Sequence, residues 1–566
     1  MRRRGVSKTA AIVAAIVVII IIIAGVWYYT SQQPTPISSP TGPVYADTIV
    51  IGTTDRVSDL DPASAYDFFT WEVLSNIGMG PFVYEPKTLE LKPGIIESYE
   101  VKENGKVYIL HLRKDLKFAD GSPCTAETLK WSIDRVAKIE GDPSWFVLDF
   151  VESTEVIDDY TLKITLQNPI SFFPAILAVP TYFPVSPNAY PFDEISPDNT
   201  AGSVGPYMIT KWVRDQQLVL EANPHFFGEP PKTPKVVIKF YSTSTALRMA
   251  LESGEIDIAW RTLSPTDIEA LKGKGEFTVY EAPSSYIRYI VFNTNIPPLD
   301  NPLVRKALAA ALNRQEIVEK VFLGTAEPLY SLVPNGMWSH IDIFKDKYGD
   351  GNLELAKQLL KQAGYSEENK LKVELWYTPE HYGDTEADVA ALIKEAWEAT
   401  GMVEVTVKSA EWSTYLQYTR EGSLMITLYG WYPDYLDPDD YLYPFLHTGS
   451  NRWLGNPYSD PEMDELLDQA QVEMDQSKRE TLYKQVQEKL AEDVPIVPIF
   501  QGKLYLVAKK NVHGIVLDQL MLLRYYLIYK EVSTAEAILP LDSIVATVMN
   551  MLIMVPVSVI ERIKVN

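Results

Sequence analysis

Residues 98–135 read SYEVKENGKVYILHLRKDLKFADGSPCTAETLKWSIDR. Glu103-Asn104-Gly105 is a turn signal, and the alternating run 106–113 behind it predicts the returning arm of a β-hairpin. Asp120-Gly121 marks a second tight turn. The stretch 126–136 then places Leu129, Ile133 and Val136 at helical spacing, so an amphipathic helix is expected there. A hairpin, a turn that Gly121 permits and a capped helix make a scaffold. No chemistry is assigned to it.

Working outward, residues 48–53 (TIVIGT) read as the first strand of the globular part and 159–166 as another. Further on, predicted helices at 245–252, 302–311, 353–363, 385–399, 461–475 and 478–492 alternate with predicted strands at 256–260, 373–377, 424–430 and 496–507. This alternation predicts α/β lobes with largely parallel sheets.

Four other segments accompany the first. They are VGPYMITKW at 204–212, ALRMALESGEID at 246–257, FNTNIPPLDNPLVRKALAAALNRQEI at 292–317, and Ala363-Gly364-Tyr365 closing the helix that begins near Leu355. In this order the five resemble the extracytoplasmic solute-binding proteins of ABC importers, family 5, the oligopeptide, dipeptide, nickel and oligosaccharide-binding group. Ser203-Val204 replaces the family's Gly-Thr, and Asn313 stands where Asp is usual. The resemblance covers roughly residues 48–530. It implies a two-lobed periplasmic-binding-protein-like fold of class II type, with hinge crossovers near 286–293 and 497–505 and a ligand cleft between the lobes. The expected organisation is lobe I over 47–286, lobe II over 287–497 and a return to lobe I over 498–532.

Residues 431–443, WYPDYLDPDDYLY, resemble the family's W-x-x-D-x-x-D-P segment. In peptide-binding members the first Asp pairs with the ligand's ammonium, and by position that residue is Asp434. One carboxylate suffices because every free peptide carries an ammonium, and a charge-assisted bond is stronger inside a closed cleft than in water. The alternative is that Asp434, Asp437, Asp439 and Asp440 are solvated loop acids, with Asp437-Pro438 making only a turn. Trp431, Tyr432, Tyr435 and Trp412 lie in or near strand ends of lobe II. Aromatic faces there suit sugar rings or peptide side chains, against the plainer reading that they pack a core.

The composition excludes several classes. The chain has 566 residues and a formal charge of −24. Its first 46 residues contain four basic and no acidic side chains, which leaves −28 on the rest. Such a body repels phosphate backbones, so no nucleic-acid partner is expected. The lone Cys124 provides no internal disulfide and no Cys-rich zinc site. His111, His225, His340, His381, His447 and His513 are scattered, and neither a nucleophile-elbow nor a phosphate-loop pattern occurs. No catalytic residue, metal or cofactor is therefore named, and the protein is read as a non-enzyme. A surface-anchored hydrolase and a ligand-free structural surface protein are the rivals of another class.

Both ends are apolar. Residues 10–29 form an uncharged run of bilayer length behind Arg2, Arg3, Arg4 and Lys8. This predicts a membrane anchor at 1–30, N-terminus inside and body outside. MRRRG also resembles the leader of pilin-like signals, with cleavage after Gly5. No Cys follows the run, so no lipid-modified cysteine is expected. Residues 31–46, SQQPTPISSPTGPVYA, read as a spacer. Residues 543–560 of the terminal segment 533–566 form a second uncharged run, either a membrane helix or a buried or partner-facing one. The expected setting is a body tethered at the cell membrane, taking peptides or oligosaccharides to a permease with a separate ATPase.

Overall fold

The computed structural model describes residues 44–379, 381–455 and 458–532. The expected anchor, most of the spacer and the segment 533–566 lie outside the described residues. Among the described residues no helix is long and apolar enough to cross a membrane. The chain divides into two units, 1–46 with 530–566, and 47–529. In the first, Val44 pairs antiparallel with Val532 and Tyr45 with Glu531.

The second unit is built on one large mixed sheet. Its strands are β1 (Thr48–Thr53), β2 (Tyr207–Val213), β3 (Gln217–Ala222), β4 (Lys235–Phe240), β5 (Ile258–Trp260), β6 (Phe277–Phe292), β7 (Ala326–Pro328), β8 (Leu371–Tyr377), β9 (Val403–Ser409), β10 (Ile426–Trp431) and β11 (Ile496–Lys509). The order is β9-β8-β10-β6-β11-β5-β1-β4-β3-β2, with β7 pairing on β11. Only β1 with β4 and β5, and β8 with β9 and β10, run parallel. The expectation of largely parallel sheets is thus corrected. Strand-helix alternation reveals local βαβ units, but the long strands β6 and β11 pair antiparallel with each other and with several neighbours. The β6–β11 ladder runs from Phe277 opposite Lys509 to Val291 opposite Ile496, with register breaks between Pro283 and Ile287 and between Arg288 and Tyr289.

Two main apolar cores lie along this sheet. One gathers buried residues from Ile287 to Phe500. The other gathers residues from Ile49 to Trp260 and from Leu504 to Ile528, and takes in Tyr435. They are called lobe II and lobe I below. A small third cluster packs Leu247, Leu251 and Ile256 beneath β5.

Residues 98–135 fall in the strands Ile96–Lys102 and Val107–Leu112 and the helix Ala126–Ile139. Both strands belong to a four-stranded antiparallel sheet. Glu103 and Asn104 turn the hairpin with φ of 51° and 52°. Thr125 and Thr128 cap the helix reciprocally. From that helix Arg135, 1% exposed, donates two parallel bonds of 2.7 and 2.6 Å to the Asp61 carboxylate. Such a bidentate pair fixes direction as well as distance. It pins the loop that leads to Tyr66 and to the helix Phe68–Ile77.

Candidate functional site

β10 delivers Trp431 at its end, and the helix Asp439–Leu446 begins eight residues later. Asp434 and Asp437 between them, and Asp439 and Asp440 at the helix start, are held differently. The Asp434 N–H donates to Asp440 Oδ2 at 3.1 Å, and the Trp431 indole N–H reaches the same oxygen at 3.3 Å. Asp437 receives both ends of the Arg479 guanidinium at 2.7 and 3.0 Å. Asp439 accepts from the hydroxyls of Tyr435 (2.9 Å) and Tyr483 (3.3 Å) and from Gln471 (3.2 Å). Burial pushes Asp439 up to about 7, the neighbouring Asp437 carboxylate adding to the effect.

Asp434 is half-buried and faces lobe I, where the Tyr66 hydroxyl donates to its Oδ2 at 2.7 Å. Burial pushes its carboxyl up to about 7 against that hydrogen bond. Asp440 is fully buried, its Oδ1 has no partner, and burial together with Asp434 raises it further. Among the described residues no Lys, Arg or His forms an ion pair with either carboxylate. A desolvated acid without a counter-ion is costly unless it holds a proton or a ligand brings the cation.

The aromatic residues separate by role. Tyr432 stacks on Tyr286 with centroids 4.6 Å apart and leans on Phe68 of lobe I at 5.0 Å. Tyr435 is 1% exposed and lies in the lobe I core, parallel to Phe172 at 5.6 Å and near Phe146 at 6.3 Å. With its hydroxyl bound to Asp439, it has no face left for a ligand here. Trp431 packs edge-on to Phe445 and against Trp453. Trp412 is stacked on His381 at 3.6 Å, and burial, with Arg288 nearby, pushes that imidazole down to about 4. The Tyr382 hydroxyl reaches the Gly430 carbonyl at 3.4 Å, which joins the Trp412 group to the end of β10.

The structure therefore brings Asp434 and Tyr432 against lobe I, keeps Trp431 and Trp412 packed among lobe II neighbours near the end of β10, and seats Tyr435 inside the opposite lobe. Several neighbours are not singled out as site residues by the sequence: Tyr66, Phe68, Arg261, Tyr286, Arg288, Tyr382 and Asp440. Asp440 was legible only as one more acid of the loop. The others come from distant segments, and no local pattern singles them out.

The fold and sequence both have counterparts. The oligopeptide-binding protein OppA of Bacillus subtilis (strain 168) is 27% identical over 455 residues, 76% of this chain and 83% of that protein. The dipeptide-binding protein of Escherichia coli (strain K12) is 27% identical over 467 residues, 76% of this chain and 85% of its own. Among solved structures, the ABC transporter-associated periplasmic binding protein DppA from Helicobacter pylori, in complex with peptide STSA, aligns with a TM-score of 0.76. It is 24% identical, the alignment covers 86% of this chain and 99% of that one, and it shows the shared fold. The family model matches residues 90–453, and the chain belongs to the bacterial extracellular solute-binding proteins, family 5.

Proposed function

We propose that the protein captures peptides outside the cell and delivers them to the permease of an ABC importer whose ATPase is a separate subunit. The observation that carries this reading is Asp434. It is a carboxylate at the lobe junction, held by a tyrosine hydroxyl from the facing lobe and by no basic side chain among the described residues. A peptide ammonium supplies the missing charge whatever the peptide's sequence, and wet pockets beyond it tolerate varied side chains. The relatives named for oligopeptide and dipeptide binding support the same ligand class. Binding without catalysis is our reading of the chain's own role, as is tethering at the membrane through 10–29. The lobe limits 47–286, 287–497 and 498–532 are likewise proposed.

Oligosaccharides are the second reading, carried by the aromatic residues around Trp412. The Trp412 face is already covered by His381, which makes peptides the better match. Thermal unfolding of the full-length protein against separate peptide and oligosaccharide pools tests the choice. A ligand at 100 times its dissociation constant stabilises the fold by about 2.7 kcal/mol. The expected result is a shift with free peptides, and a shift with sugars alone would transfer binding to the aromatics. Asp434→Asn should weaken free-peptide binding by about 2–5 kcal/mol, and N-acetylated peptides should bind poorly. Equal affinity for blocked and free peptides would remove Asp434 from this role.

A further inference from the structure

A short loop joins the helices Pro461–Val472 and Gln476–Asp493. The Asp475 N–H donates to Glu473 Oε1 at 2.8 Å, and the Asp475 carboxylate caps the second helix through the Lys478 N–H at 3.1 Å. These bonds fix the loop with Met474 at its centre. Ala470 and Tyr483, on either side in sequence, belong to the lobe II core.

Facing this loop is the hairpin turn of lobe I. Glu103, Asn104 and Gly105 follow one another with φ of 51°, 52° and 95°. Left-handed backbone is costly in Glu, less so in Asn, and freely adopted by Gly. Val101 to Asn104 are exposed, yet Gly105 is buried. Met474 is what covers it. A Cβ added at Gly105 would stand 2.6 Å from the Met474 Sδ and 2.7 Å from its Cε. The methionine tip thus occupies the space that another residue's side chain would take. Lobe I backs the turn through the Ile170 N–H, which donates to the Gly105 carbonyl at 3.4 Å.

The same loop is tied to the segment that carries Asp434. Arg479 donates through Nε to the Ala470 carbonyl at 3.1 Å, and through Nη1 and Nη2 to Asp437 at 3.0 and 2.7 Å. These bonds run from Asp437, close in sequence to Asp434, to the end of the helix that precedes Met474.

We propose that Met474 is a positioning residue for ligand retention. Its side chain clasps the turn at Gly105, joins the lobes by a contact separate from Tyr435, and has to leave that turn before a ligand can leave the cleft. A thioether suits this role, because its flexible apolar tip fills an irregular space without a directional bond and can be withdrawn. A contact made only while the lobes are together shifts the balance toward that state and slows release in proportion. The clasp does not depend on the chemical class of the ligand.

Two experiments on the full-length protein test it. In stopped-flow measurements, trialanine should dissociate about 3- to 10-fold faster from Met474→Ala than from the wild type. Met474→Leu, which keeps an apolar tip, should restore most of the wild-type rate. Met474→Gln, of similar length but polar, should not. Equal release rates from all four proteins would overturn the proposal. The second experiment combines Gly105→Cys with Met474→Cys. Met474 Cγ, where the new sulfur would lie, is 3.6 Å from the added Cβ, within reach of a disulfide. The native Cys124 is 1% exposed and does not compete. The disulfide should form in the ligand-free protein and block uptake of trialanine until it is reduced. A variant that melts like the wild type yet forms no disulfide overturns the clasp, as does a cross-linked protein that takes up trialanine unhindered. Where Gly105→Cys prevents folding, the Met474 series decides, because it leaves the turn intact. Where the wild type binds no trialanine, the peptide reading fails by itself and disulfide formation decides the clasp.

Discussion

At neutral pH the half-buried Asp434 carboxyl lowers the stability of the fold. A carboxyl held near 7 in the fold retains a proton that the unfolded chain, with its carboxyl near 3.9, releases. The stability associated with it is complete below about pH 4 and is lost as pH rises through about 7. Asp434→Asn should therefore raise the melting temperature of the ligand-free protein more at pH 8 than at pH 5. An equal gain at both values would mean that the acid is ionised throughout. Ligand affinity should run the opposite way, because an ammonium needs the ionised form. Titrations with a free peptide should show affinity falling as pH drops from 8 toward 5, approaching about tenfold per unit below the Asp434 midpoint. The sequence made Asp434 legible through its place in the W-x-x-D segment. Its raised carboxyl was not legible, because it arises from burial against distant segments, among them Tyr66, 368 positions away, whose hydroxyl only partly offsets the shift.

At the scale of elements, the segment after β10 works as a latch. Tyr435 leaves lobe II and lies in the lobe I core beside Phe172 and Phe146, while the Leu436 N–H donates to the Tyr84 hydroxyl at 3.2 Å. Arg479 holds the same loop through Asp437 and packs on Phe172 at 5.1 Å. Opening the lobes has to withdraw the Tyr435 ring. Burying an aromatic side chain is worth about 1.5–3 kcal/mol, so this ring biases the protein toward closure before any ligand arrives. Tyr435→Ala should enlarge the radius of gyration of the empty protein in solution scattering and weaken peptide binding, with Asp434 untouched. An unchanged radius would show that other contacts hold the lobes together. Sequence reading grouped Tyr435 with the ligand contacts because strand-end aromatics look alike in one dimension. Its insertion into the opposite core depends on lobe closure, which no local pattern encodes. The break in the β6–β11 ladder at Pro283–Ile287 lies between the two cores, and we place the bending point of the first crossover there.

At the scale of the whole molecule, the chain returns to lobe I along β11, and a buried acid fastens the return. Glu72, on the helix Phe68–Ile77, accepts from the Trp260 indole at 2.8 Å, the Tyr525 hydroxyl at 2.6 Å and the Leu523 N–H at 3.1 Å. It joins three parts of the chain that lie far apart in sequence. Burial pushes it up to about 7 despite these donors. Glu72→Ala leaves three buried donors without an acceptor and should cost about 2–4 kcal/mol in denaturant unfolding. A loss under 0.5 kcal/mol would mean that water replaces the carboxylate.

By itself the sequence determined the alternating strands and helices, the hairpin and capped helix of residues 98–135, the family, and Asp434 as the acid to test. These follow from local periodicity, turn chemistry and a motif whose spacing survives in one dimension. Only the tertiary structure decided the mixed direction of the large sheet, the placing of Tyr435 in the opposite lobe, and the gathering of Tyr66, Arg261 and Arg288 around the segment after β10. Each of these depends on which distant segments the crossovers bring together. The energies involved come from burial and charge, which act through space without regard to separation along the chain.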